Sequence, residues 1–116
     1  MKTIKITTVL VALFSPILLT AQGISFMDND LEGALAKAKA ENKVVFVDAY
    51  TTWCGPCKWL AANVFTNDTL GEFYNKQFVN LKLDMEKGVG VEFAKKYEVR
   101  AYPTLLFISP KGEVVN

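Results

Sequence analysis

Histidine is absent from the 116 residues. That absence removes Ser-His-Asp and Cys-His catalysis, and every metal site built on imidazole. An excess of charge of one sign is also missing. The 13 Lys and Arg face 12 Asp and Glu, for a net +1, so nothing in the electrostatics points to nucleic acid as a partner. Internal repeats, low-complexity tracts and linkers are absent, and the length suits one domain rather than two. Cysteine is scarce, with Cys54 and Cys57 the only pair. What is abundant is apolar residues, 51 % of the chain, enough for a globular core and too many for a disordered segment.

Part of that apolar content lies in Met1–Ala21, MKTIKITTVLVALFSPILLTA. Lys2 and Lys5 make a positive start. A mostly apolar run follows from Ile6 to Leu19, broken by Pro16, and Ala21 offers a small residue for cleavage. This is the pattern of a secretory signal peptide. The run is shorter than the roughly 20 apolar residues that span a bilayer, and no cysteine follows it to accept a lipid anchor. The expectation is a signal peptide over 1–21 and an exported domain over 22–116, periplasmic or extracellular, where disulfides persist.

The remainder alternates strand and helix patterns. ISF, within Gln22–Met27, is a candidate edge strand. DNDLEGALAKAKAENK reads as a helix capped by Asp28, Asn29 or Asp30, with Leu31, Ala34, Leu35 and Ala38 on one face. VVFVDAY, Val44–Tyr50, is a β-branched apolar run suited to a strand buried on both faces. KWLAANVF and NDTLGEFYNKQ read as helices, the second capped by Asn67 or Asp68. FVNLKLD is a strand, GVGVEFAKKYEV a helix with Phe93 and Tyr97 four apart, and TLLFIS a strand. SPKG turns the chain into EVVN, the start of a last strand cut at Asn116. Such alternation specifies an α/β domain with helices on the faces of a sheet, expected to be incomplete at its C-terminus.

The two cysteines sit in TTWCGPCKWL. As a structural staple they would close a loop of only four residues, which stabilises by roughly 2 kcal/mol against about 3 for fifteen residues. As a zinc site they would need two further ligands that no histidine can supply. As a reagent they need a lowered thiol pKa and access. Cys54 falls between the strand VVFVDAY and a helix starting near Pro56, where unpaired amides favour negative charge. Pro56 suits the first helical turn, Gly55 supplies backbone freedom, and Lys58 adds a positive charge.

WCGPCK, Trp53–Lys58, resembles the active-site motif of the thioredoxin family. The resemblance extends to the preceding apolar strand and to YPTLLFI downstream, and covers most of residues 24–116. FTNDTLGEFYNKQF after the motif helix is similar to the exported thiol:disulfide interchange branch. The fold implied is thioredoxin-like, a central mixed β-sheet flanked by helices.

The resemblance also implies roles. Cys54 would be the nucleophile and Cys57, more buried, the resolving cysteine. Asp48 would be a buried acid that shuttles a proton for Cys57. The lysine often found near that acid is expected where Asn80 stands, with Lys82 two residues on. Pro103 would be cis, with Tyr102 offering its backbone to an extended substrate. Trp53, Gly55 and Pro56 would complete the substrate surface, whereas Trp59 reads equally as core. No cofactor is implied. The partners would be protein dithiols and disulfides and an upstream electron donor such as a membrane thiol reductase, with the chain a monomer. Gly-Pro between the cysteines resembles the reductants of the family. An oxidase or isomerase, or a redox-inactive peptide-binding module, remains open.

Overall fold

The computed structural model describes residues 2–16 and 22–115. The expected cleavage point at Ala21 and the last residue, Asn116, lie outside them. Residues 2–16 form neither helix nor strand. No helix among the described residues is long and apolar enough to cross a membrane.

From residue 22 onward the elements run β1 (Met27–Asp28), α1 (Leu31–Glu41), β2 (Val44–Tyr50), α2 (Gly55–Asn63), α3 (Asp68–Gln77), β3 (Phe78–Asp84), α4 (Val89–Lys96) and β4 (Thr104–Ile108). Their limits follow local chemistry. Asp30 caps α1, its Oδ1 accepting from the Gly33 amide at 2.9 Å. Asn42 ends that helix in the left-handed region, φ 52°, which asparagine tolerates better than most residues. Asn67 caps α3 through the Leu70 amide at 2.9 Å. Ala34 and Ala38 are fully buried, with Leu31 and Leu35 packed beside them, so the apolar stripe of α1 faces the sheet.

The sheet order is β1-β3-β2-β4. β1 and β2 run parallel to β3, and β4 runs antiparallel to β2. β2 is therefore paired on both edges, and its five central residues are all buried. On one face Val45, Val47 and Ala49 join Leu81, Leu83 and Ile108 beneath α1 and α4. The opposite face is aromatic. Phe46 lies 4.9 Å from Tyr74, 5.1 Å from Phe107 and 6.1 Å from Phe65 between ring centroids. Since strand residues alternate faces, Asp48 and Tyr50 share this second face with Phe46, under α2 and α3.

Two strand assignments need correction. ISF is not in the sheet, because its hydrogen bonds go elsewhere. The Ile24 amide donates to Phe65 O at 2.7 Å. The Ser25 amide donates to Asn75 Oδ1 at 2.9 Å, and Asn75 Nδ2 donates to Gly23 O at 3.2 Å. One asparagine of α3 thus holds the segment away from β3, and pairing begins only at Met27. Of EVVN, the described residues 113–115 make a single bridge, Ile108 to Val114, rather than a ladder. Ser109 N to Glu113 O and Val115 N to Phe107 O, both 2.7 Å, close that one bridge on either side.

The detour of residues 22–25 needs two close approaches of backbone. A Cβ on Gly71 would collide with Gln22 O and with Gly23, and one on Gly23 would collide with Phe65 O. Gly71→Ala should therefore lower stability by about 1–3 kcal/mol, as overpacking against backbone does. Gly55→Ala, where a Cβ would meet nothing within 4 Å, should change it by under about 0.5 kcal/mol. Urea midpoints of the two variants test the contrast.

Candidate active site

β2 delivers the chain to Tyr50, Thr51–Trp53 turn it, and α2 begins at Gly55. Cys54 is the residue that caps α2, with extended backbone angles of φ −72° and ψ 112°. The Cys57 amide donates to Cys54 Sγ at 3.1 Å. Sulfur thus occupies the place that a serine or aspartate oxygen fills at an ordinary helix start. One of the unpaired first-turn amides is aimed at it, and the helix dipole favours negative charge there. Pro56 sits in that first turn, where a missing amide costs nothing.

Cys54 and Cys57 form a disulfide, their Cα atoms 5.3 Å apart. The two residues are almost equally buried, 3 % and 5 % exposed, so the expected contrast between an exposed Cys54 and a more buried Cys57 is absent. In the oxidised pair each sulfur covers the other. Gly55 makes no close approach either. Space is open around it, which leaves this side of the motif free to an incoming chain.

Asp48 is 1 % exposed. Its Cα pairs with that of Lys82 on β3, and Lys82 Nζ lies 4.0 Å from Asp48 Oδ2. The expectation that placed Asn80 beside the acid is corrected by the register. Asn80 pairs with Phe46, one pleat earlier on the same face, and its Nδ2 donates to Tyr74 O at 3.2 Å and to Asn75 Oδ1 at 3.3 Å. The lysine opposite the acid is Lys82. Asp48 Oδ1 has no hydrogen-bond partner among the described residues. Burial pushes the Asp48 carboxyl above its ordinary value of 3.8, and Lys82 offsets part of that rise.

A cavity of about 180 Å³ lies between Lys82 and Cys57. Tyr50, Thr51, Thr52, Cys57, Lys58, Ala61 and Lys82 line it. Lys82 thus touches both the acid and the space beside Cys57. On the outer side, Trp53 is 65 % exposed. Its ring meets Tyr102 edge to face at 5.9 Å, and its Nε1–H donates to Glu86 Oε1 at 2.6 Å. The Tyr102–Pro103 peptide is cis. Trp59 is not core, because at 60 % exposed it lies on the solvent side of α2. Glu86 and Tyr50 were invisible as site residues in the sequence. Glu86 reaches the site from the loop after β3, and Tyr50, at the end of β2, joins it through Lys82 on the paired strand. Among the described residues, no cluster of three or more His, Cys, Asp or Glu converges as a metal site.

The raised pKa of Asp48 has a stability consequence. A carboxyl that holds its proton more tightly folded than unfolded adds stability that is full below its unfolded value of 3.8 and is lost as pH rises through the folded value. Asp48→Asn should therefore stabilise the protein at pH 8. That gain should shrink as pH falls toward 4. Urea unfolding across this range measures it, and a gain independent of pH would contradict the burial argument.

Comparisons with known proteins agree with the geometry. A family model described as thioredoxin-like matches residues 26–110. The solved structure of a "putative disulphide-isomerase" from Bacteroides thetaiotaomicron is 55 % identical with a TM-score of 0.72, over 83 % of this chain and 79 % of that one. Thioredoxin H-type of Oryza sativa subsp. indica is 39 % identical over 88 residues, 73 % of this chain and 65 % of the relative. Thiol:disulfide interchange protein DsbD 2 of Pseudomonas aeruginosa is 32 % identical over 85 residues, 72 % of this chain and 14 % of the relative. The chain therefore spans less than two thirds of the length of either curated relative. With its sheet order, its helix-capping cysteine and these matches, the chain belongs to the thioredoxin-like family.

Proposed function

We propose that the protein is a thiol:disulfide oxidoreductase that reduces disulfides in other proteins, and that it works after export. The observation that carries this reading is the Cys57 amide aimed at Cys54 Sγ at the start of α2. The relatives named as thioredoxin and as thiol:disulfide interchange protein support the same class. Export rests on Lys2, Lys5 and the apolar run that follows them.

In the reduced protein, the Cys54 thiolate attacks one sulfur of a substrate disulfide. A mixed disulfide forms and the other substrate sulfur leaves as a thiolate. Asp48 then takes the proton of the Cys57 thiol. The Cys57 thiolate attacks Cys54 Sγ, so the Cys54–Cys57 bond forms and the bond to substrate breaks. The second substrate thiolate leaves, and protons from Asp48 and solvent complete both substrate thiols. Two electrons have passed from the cysteine pair to the substrate. A dithiol donor, such as a membrane thiol reductase, must supply two electrons for the next cycle.

The substrate would lie as an extended strand along Tyr102 and Pro103, beside Trp53 and across Gly55 and Pro56. Recognition through backbone is tolerant of sequence, which suits varied protein substrates. The exposed face of Trp53 supplies an apolar contact.

The tests follow from the roles of the two sulfurs. With dithiothreitol as donor, the wild type should accelerate insulin reduction, and Cys54→Ser should abolish the acceleration. Equal turbidity rates would leave only a peptide-binding module. Cys57→Ala should accumulate mixed disulfides with substrate proteins, visible as adducts on non-reducing gels and lost with reductant. Equilibration with glutathione separates a reductase from an oxidase or isomerase.

A further inference from the structure

Lys82 poses a positioning problem. Its side chain is 28 % exposed and its ammonium is 4.0 Å from Asp48 Oδ2, a loose pair at the end of a long flexible chain. Space is open on two sides of it. One side is the cavity beside Cys57. The other is a second cavity of about 130 Å³ lined by Ile24, Phe26, Ala61, Phe65, Thr66 and Lys82 itself. Nothing in the Asp48 contact alone keeps the ammonium from swinging into either.

Two aromatic rings supply the restraint. Lys82 Nζ lies 4.8 Å from the centroid of Tyr50 and 5.9 Å from that of Phe26. Both fall within the ~6 Å over which a ring face attracts a cation. Tyr50 comes from the end of β2, on one side of β3. Phe26 comes from the segment before β1, on the other. The Asn75 bonds that hold residues 23–25 off the sheet are also what carries Phe26 over the aromatic face, 5.2 Å from Phe65.

We propose that Tyr50, with Phe26, is a positioning residue whose ring face holds the Lys82 ammonium against Asp48 and so sets the pH at which Asp48 can accept the Cys57 proton. The geometry stands by itself, while its consequence for catalysis rests on the oxidoreductase reading. The charged and titratable groups around Lys82 and Tyr50 come from several elements. Asp28 of β1 is its register partner, and Asp84 of β3 lies 4.0 Å from Lys87. Cys57 and Lys58 of α2 share its cavity. Burial above all pushes the Tyr50 phenol up; a hydrogen bond with Asn29 lowers it, and Asp28, Asp84 and Asp48 raise it further. The phenol therefore stays protonated while Asp48 titrates.

The sign of the effect separates this role from simple shielding. If Tyr50 holds the ammonium, removing its ring frees Lys82 and the Asp48 midpoint rises. If Tyr50 only keeps water out, removing it hydrates Asp48 and the midpoint falls. The experiment is a carboxyl ¹³C titration of Asp48 in the oxidised protein, where the disulfide keeps both cysteines from titrating. Tyr50→Leu should raise the midpoint by about half a pH unit, Tyr50→Phe should match the wild type, and Lys82→Met should raise it further. In a Lys82→Met background, Tyr50→Leu should add no further rise.

An unchanged or lowered midpoint in Tyr50→Leu, or an equal rise with Lys82 absent, overturns the proposal. The wild type gives a second reading free of any folding defect. The Lys82 ε-methylene protons should be shifted upfield by the rings, and random-coil shifts would overturn it. Because no substrate is involved, failure of insulin reduction would strike the oxidoreductase reading and leave these titrations standing.

Discussion

An amide pointing at a sulfur organises this molecule's chemistry. The bond from Cys57 N to Cys54 Sγ exists because a buried strand ends, three residues turn, and a helix starts with cysteine as its cap. Move the helix start by one residue and the amide that favours a thiolate aims elsewhere. The sheet guards against that shift. β2 is clamped between β3 and β4 along nearly its whole length, so its end is a fixed point from which Thr51–Cys54 depart.

The same strand supplies the second half of the site. Asp48 is buried because β2 is central, and burial is what keeps its carboxyl reluctant to ionise. In the proposed cycle it is this carboxyl, held above its ordinary range by burial, that would take the Cys57 proton. Lys82 tempers that reluctance from the neighbouring strand. Its position depends in turn on the aromatic face that α2, α3 and residues 22–26 share. Packing that looks purely structural, such as Asn75 on Gly23 and Ser25, thus reaches the electrostatics of the site.

Much of the fold was legible in the residues. The limits of β2 and β3 match their apolar runs, and the Asp30 and Asn67 caps mark their helices, because these depend on neighbours close in sequence. ISF failed for the opposite reason. Its apolar, β-branched pattern fits a strand, but its amides are taken by Phe65 and Asn75, some 40 to 50 residues away. Trp59 stayed open in the sequence because helix-face assignment from a short segment cannot locate which side the sheet will cover. Asn80 against Lys82 was a register question, and a shift of two residues keeps the face while changing the partner.

Sequence alone determined that two thiols three residues apart stand at a strand-to-helix junction, with a proline in the first turn and an acid six residues before. Those are local relations, carried by spacing and by what each residue type permits. Tertiary structure decided which cation faces that acid, which rings hold the cation, and that Glu86 receives the indole hydrogen of Trp53. These contacts join segments distant along the chain. Sheet register and the packing of whole elements set them, and no short stretch of residues encodes either.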